Sequence, residues 1–548
     1  MSARPFALGD AFTPKLVTAF REGYGAVDLR HDLIAGLTVA IVALPLAMAL
    51  GIASGASPRE GLVTAVIAGF LISALGGSRV QIGGPTGAFV VIVAGVIAAH
   101  GFDGLILATL MAGVILVIAG YAGVGKLMRY VPMPVVTGFT AGIAVIIASS
   151  QVGDFLGLRT GPVPADFVDK WSAYAQAAAT ANWTALGIGA ATLALIVGIR
   201  KFSPRAPSYL IAIIASTAAV ALMKLPVETV GDRFHTMATG LPTLHAPKVS
   251  LALVREVFSS AFVIAFLAGI ESLLSATVAD GMTGRRHRSG QELVANGIAN
   301  IGSALFGGLP ATGAIARTAT NIRSGAHSPM AGMFHALFLL LFMLVAGKLL
   351  ALVPMTALAA VLLMVAWGMS EYDRFIALAR TDAGERGILL LTFLLTVFVD
   401  LTVAIGVGVT LAALLFMTRM SETAGLVTAE ADEEPELRKQ LPAGVEVFRF
   451  SGPLFFGVAS EMIEALRRMG QRPRAIILRM EQVPYIDSSA ANALATFTRQ
   501  ARASGTEVWL VGLKQQPTDF LGKFEPRFAG ARRASSWAAG LRRLRQAS

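Results

Sequence analysis

Two charged side chains stand inside otherwise apolar stretches, and both could do chemistry. Glu271 lies in the run FVIAFLAGIESLLSATVAD, with Ser272 beside it and Ser275 one helical turn on, along the same face. A carboxylate in such surroundings is costly and marks function unless an internal ion pair satisfies it. Burial penalises its charged form, which suits a group that carries a proton. Arg317 lies in GLPATGAIARTATNIRSG. Its guanidinium is permanently charged and offers a planar fork to an oxyanion; the alternative is that it snorkels to the membrane edge, as Arg323 does in this reading.

Arg317 also sits within one copy of a repeat. The string Ser73-Ala74-Leu75-Gly76-Gly77 is followed by Gly83-Gly84-Pro85-Thr86-Gly87-Ala88. Much later, Ser303-Ala304-Leu305-Phe306-Gly307-Gly308 is followed by Leu309-Pro310-Ala311-Thr312-Gly313-Ala314. Each copy opens a short apolar segment with Gly and Pro. Such pairs are the pointer to a binding site made by broken helices, because a half-helix aims free N–H groups and a positive dipole end into the space before it. Two such ends facing one another make an anion site. The candidate anion-binding residues are therefore Thr86, Gly87, Ala88, Phe89, Thr312, Gly313, Ala314, Ile315 and Arg317, with Glu271 and Ser275 as candidate ion-coupling residues. The alternative for each segment is a Gly/Pro kink in a packed helix.

The elements that hold these residues follow from composition. Of 548 residues, 55% are hydrophobic and only 14% charged, and mean hydropathy is +0.67. That excludes a single-domain soluble enzyme and a disordered chain. Long unbroken apolar runs exclude a transmembrane barrel, which alternates. With no cysteine and seven scattered histidines, thiol chemistry and a metal cofactor have no basis. We find no nucleophile constellation or nucleotide loop, so no enzyme is expected. A net charge of +11 fits cytoplasmic loops of a membrane protein rather than nucleic-acid binding.

Fourteen apolar segments precede residue 420, at 32–53, 60–76, 85–99, 103–121, 131–151, 183–199, 207–223, 253–279, 291–306, 310–323, 328–349, 352–369, 386–400 and 401–419. Residues 1–24 read as a cytoplasmic segment and 25–420 as the transmembrane domain, with repeats at about 25–225 and 250–420. Seven spans separate the two Gly/Pro copies, so the halves are inverted. Lys126, Arg129, Arg200, Lys201, Arg285 and Arg286 mark inside loops, against Asp154, Asp166 and Asp169 outside, which places both termini in the cytoplasm. Asp400 reads as a turn at the outer surface, and His100, His235 and His245 fall in outer segments without a role.

Residues 421–444 read as an acidic linker, and 445–548 as a small α/β domain with a basic tail. VEVFRF, AIILRM and VWLVGL are strand patterns; VASEMIEALRRMG and SSAANALATFTRQARASG are helical. Asp487 and Ser488 stand at a strand-to-helix turn, where they either cap the helix or regulate. Arg532, Arg533, Arg542, Arg543 and Arg545 give the tail either a contact with anionic lipid or a solvated face.

From about residue 25 to the end the chain resembles the SulP family of anion permeases, the bacterial relatives of solute carrier family 26. The resemblance rests on ALPLAMALGIASG, GGPTGAF, GIESLLSATVAD, GLPATGAIARTATNIRSGAHSP and the C-terminal IDSSA of a STAS-like domain. LLMVAWGMSEYDRF is most similar to the branch with a C4-dicarboxylate permease. The resemblance implies an all-α polytopic domain of fourteen helices, seven plus seven inverted, split into core and gate subdomains, with a cytoplasmic α/β STAS domain. It further implies a homodimer in the bacterial inner membrane, an elevator-like movement, and a sulfate, bicarbonate or dicarboxylate substrate. A cytoplasmic protein partner of the STAS domain is a further implication. Sodium-coupled bicarbonate members carry Asp and Thr where this chain has Glu271 and Ser275, which points to protons as the coupling ion, with sodium as the alternative. Leu46 replaces a glutamine common in the first-span motif, and Ala490 replaces the glycine that follows a phosphorylated serine in soluble STAS proteins. An uncoupled exchanger or channel and a non-transporting sensor are the competing readings.

Overall fold

The computed structural model describes residues 12–126, 132–160, 163–164, 166–203, 206–234, 240–245, 247, 249–399, 401–423, 426–428, 441–455, 473–523 and 531–546. The chain forms two compact units, Met1–Val409 and Thr410–Ser548.

The first unit is helical. Its principal helices are α1 (Ala26–Ala53), α2 (Pro58–Leu75), α3 (Val90–Tyr121), α4 (Met133–Ser150), α5 (Phe167–Ala177), α6 (Trp183–Phe202), α7 (Ser208–Met223), α8 (Leu251–Thr283), α9 (Ser289–Leu305), α10 (Ile315–Arg323), α11 (Met330–Val345), α12 (Met355–Met369), α13 (Ala383–Phe398) and α14 (Leu401–Thr423), which runs on past the division. Among the described residues, eight helices are long and apolar enough to cross a membrane, and Ser208–Met223 and Met330–Val345 are shorter apolar helices.

Each of the fourteen expected segments falls on a described helix, with two departures. The third and fourth share α3, which is broken at Gly101, where φ is 69° and ψ −174°. The amphipathic helix α5 was not expected; Asp166 caps it by accepting the amides of Val168 and Asp169. The tenth segment is a true half-helix of nine residues. Asp400 and His235 lie outside the described residues.

Local signals account for the helix boundaries. Ser57 and Glu60 form a capping box around Pro58 at the start of α2, and Gly76 ends that helix. Close helix contact depends on missing side chains. A Cβ on Gly113 of α3 would lie 2.7 Å from the Gly297 carbonyl of α9, and one on Gly120 would lie 2.9 Å from the Gly290 carbonyl. The pairs run in opposite directions, so α3 and α9 pack antiparallel along a glycine seam, the usual route to tight helix association in lipid.

The second unit carries a five-stranded sheet in the order β3 (Leu426–Thr428), β4 (Val445–Ser451), β5 (Ala475–Gln482), β6 (Glu507–Val511), β7 (Ala531–Ala534). β3 is antiparallel to β4, and β4 through β7 are parallel. A parallel sheet is buried on both faces. Phe448, Phe450, Leu478 and Leu510 pack under α15 (Ser488–Ala503) on one face. Val447, Ile477, Trp509 and Val511 pack with Trp537 of α16 (Trp537–Gln546) on the other. Within the expected basic tail, Arg532 and Arg533 belong to β7, and α16 covers the second face of the sheet. Arg532 pairs with Glu507 at 2.9 Å and lies over the Trp509 ring. The expected helix VASEMIEALRRMG and most of the expected linker lie outside the described residues, as does the side chain of Arg545.

Candidate functional site

The two Gly/Pro copies meet. Gly83–Gly84 (β1) and Thr312–Gly313 (β2) form a two-stranded antiparallel ladder, with Gly83 opposite Gly313 and Gly84 opposite Thr312. Ala314 extends it by donating its amide to the Ile82 carbonyl at 2.8 Å. Just beyond the ladder, Gly87–Phe89 make a turn of 3₁₀ helix leading into α3, and Ile315 begins α10. Both helix starts therefore grow from one short ribbon, and the first-turn amides at each start have no intrahelical acceptor.

Extended backbone inside a membrane must be satisfied by protein or by a wet cavity, and polar side chains of α9 and α10 supply much of this. Asn300 accepts the Ala311 amide at 2.9 Å and donates to the Ala311 carbonyl at 2.8 Å. Ser303 donates to the Leu309 carbonyl at 2.7 Å. Thr318 accepts the Ile82 amide at 3.0 Å, and Asn321 donates to the Val80 carbonyl at 2.9 Å. Thr312 donates to the Ala268 carbonyl at 2.7 Å, which ties the ribbon to α8.

The candidate residues divide by exposure. Thr86 and Glu271 are partly exposed, and the Thr86 hydroxyl donates to the Glu271 carboxylate at 2.8 Å. Among the described residues Glu271 has no ion pair, so the alternative of an internal salt bridge finds no partner there. Ile315 is 41% exposed, whereas Gly87, Ala88, Phe89, Thr312, Gly313 and Ala314 are buried. Gly87 is pinned by the neighbouring helix: a Cβ there would lie 2.4 Å from the Met369 sulfur. Ser275 does not line the same space as Glu271; it is fully buried and shares a 3.2 Å hydrogen bond with Thr318.

Arg317 is 2% exposed, which removes the reading of an edge anchor. Its Nη2 donates to the Pro85 carbonyl at 2.9 Å, while Nε and Nη1 have no hydrogen-bond partner among the described residues. Gly84 makes room for it: φ is +147°, and a Cβ would lie 2.5 Å from Nη1. Leu46 is partly buried against the apolar core.

Sequence reasoning missed a second buried carboxylate. Glu292 is fully buried. It accepts the amides of Gly77 and Ser78 at 2.8 and 2.9 Å and the Ser272 hydroxyl at 3.1 Å. Gln81 donates to Ser272 at 2.8 Å, closing the network. Glu292, Asn296 and Asn300 recur every four residues on one apolar helix, and that polar stripe was the available signal. Glu292→Ala strands two buried amides, each costing about 1–3 kcal/mol. Thermal unfolding in detergent should show a clear loss of stability, whereas an unchanged midpoint would show that the network does not hold the approach to β1.

In the second unit Asp487 caps α15, accepting the Ala490 amide at 2.8 Å, and Ser488 is exposed at the first helical position. The capping reading is what the geometry displays.

Residues 29–392 match the sulfate permease family and residues 436–525 match the STAS domain. The chain belongs to the sulfate permease family. It is 41% identical to YvdB of Bacillus subtilis, named as a candidate sulfate transporter, over 92% of this chain and 95% of that protein. It is 33% identical to the bicarbonate transporter BicA of a Picosynechococcus species, over 91% of each chain. Among solved structures, the murine solute carrier 26 family member A9 anion transporter superposes with a TM-score of 0.87 over 100% of this chain and 96% of that chain; at 18% identity this shows the fold alone. The transmembrane domain of a cyanobacterial BicA, 30% identical, gives 0.63 over 70% of this chain and 99% of that chain. These relatives are transporters, not enzymes.

Proposed function

We propose that this member of the sulfate permease family is a secondary transporter of a small anion in the bacterial inner membrane. The observation that carries the reading is the antiparallel ribbon joining the starts of α3 and α10. It brings two positive helix ends together, and the partly exposed Thr86 and Glu271 meet at one of them. In this reading Gly87, Ala88, Phe89, Thr312, Gly313, Ala314 and Ile315 form the anion site at the two helix starts, and Arg317 adds a fixed positive charge. The named relatives make sulfate and bicarbonate the leading substrates, and a C4-dicarboxylate is the third.

In this reading Glu271 carries the coupling proton, next to an anion bound at the helix starts. Ser275 acts at one remove, through Thr318 and the Ile82 amide. Sodium held by Glu271 is the alternative. An elevator-like movement of core against gate, a homodimer, and cytoplasmic termini complete the proposal. The STAS domain, with Asp487 and Ser488 at an exposed helix start, is assigned to regulation or to a cytoplasmic partner, and the basic residues near its end to anionic lipid.

Counterflow in proteoliposomes with labelled sulfate, bicarbonate and succinate is the test. At least one should exchange in a saturable manner that a bulky Gly87→Leu substitution abolishes. Exchange of none, or full exchange by the variant, would sink the reading.

A further inference from the structure

A cavity of about 370 Å³ runs beside the first half of α3, from Val90, the residue after the 3₁₀ turn, to His100. Ten residues of helix span about 15 Å. The cavity thus leads away from the helix start toward the face that α5 occupies. Ser150 of α4, Thr396 of α13 and Lys170 of α5 line it; the Ser150 hydroxyl donates to the Ile147 carbonyl and the Thr396 hydroxyl to the Thr392 carbonyl, each at 2.7 Å.

Lys170 is placed unlike an ordinary surface lysine. It is 8% exposed and, with Tyr174 one turn later, forms the buried side of α5. Among the described residues its ammonium has no hydrogen bond or ion pair. Asp166, one turn earlier, accepts the amides of Val168 and Asp169 with Oδ1 at 2.9 and 3.4 Å. His100 stands 3.4 Å from Glu256. Burial draws the Lys170 pKa below the usual lysine value, against the opposing pull of Asp166, and a bound anion would reverse that shift. The Lys170 stem is buried, and the residue lines the cavity.

We propose that this cavity is a second, outer anion subsite, in which the Lys170 ammonium holds a small inorganic oxyanion on its way to the helix starts. The inference rests on the transport reading and on the orientation that places α5 outside.

The test compares the two faces of the membrane, with labelled sulfate and bicarbonate presented to right-side-out and inside-out vesicles carrying the full chain. Lys170→Gln should raise the outer-face KM about tenfold, the loss expected for one charge-assisted contact. The inner-face KM and the thermal midpoint should stay at wild-type values. Lys170→Met, which keeps the apolar stem, should give the same rise, and Lys170→Arg should restore most of the affinity. An unchanged outer-face KM in the Gln and Met variants would overturn the subsite, as would an equal rise at both faces, which would place the effect in the shared central site. Wild-type protein that transports neither anion would overturn the transport reading, and the subsite with it.

Discussion

Glu271→Gln should keep anion exchange and lose uphill accumulation. The carboxylate stands 2.8 Å from the Thr86 hydroxyl at the start of one half-helix, with no ion pair among the described residues. Deprotonated, it would repel an anion at the helix starts and bear a large desolvation cost. Protonation removes both penalties, so proton and anion should each raise the other's affinity by the same factor. Uptake by the wild type should therefore rise as external pH falls, for a substrate whose ionic form is constant over the range. Glutamine mimics the protonated state. Its counterflow should stay close to wild type, while the accumulation ratio under an imposed pH gradient should fall by about tenfold or more, the scale of a typical coupling energy. Flux measured with and without sodium at fixed pH separates the rival ion. An absolute sodium requirement with pH-independent transport would overturn the proton assignment.

Arg317 should contribute to binding through both charge and shape. Its guanidinium is 2% exposed, gives Nη2 to the Pro85 carbonyl at 2.9 Å, and leaves Nε and Nη1 without a partner among the described residues. Arg317→Ala removes the fixed charge and should weaken anion affinity by about ten- to a hundredfold, the range for a hydrogen bond to a charged group. Arg317→Lys keeps the charge but not the fork, so it should fall between the two, with a dicarboxylate suffering more than a monovalent anion. Equilibrium binding in detergent reads the effect, with the thermal midpoint as a control for folding. Wild-type affinity in both variants would leave Arg317 as a brace for the Pro85 carbonyl and nothing more.

Much of this protein was legible from one chain. The apolar runs required a helical membrane protein, because a backbone in lipid has few ways to satisfy its polar groups. The matching Gly/Pro strings, seven spans apart, pointed to two broken helices in inverted halves. Those are local properties, set by residue type and by counting. Distances between remote residues are not. The pairing of Gly84 with Thr312 depends on how two halves close on one another, and no periodicity announces it. The burial of Arg317 behind Gly84, rather than at a membrane edge, follows from that closure. So does the separation of Ser275 from Glu271: one turn apart on one helix, they serve different neighbours, because α10 crosses over Ser275 and leaves Glu271 beside Thr86. Glu292 was overlooked for the same reason. A carboxylate near the start of an apolar segment looks like solvated surface until Gly77 and Ser78, more than two hundred positions earlier, fold back to give it their amides. Composition and spacing determined that helices must break here and that a charge must be held near the break; only the tertiary structure decided which groups meet there, since contacts between remote residues exist only once the chain has packed.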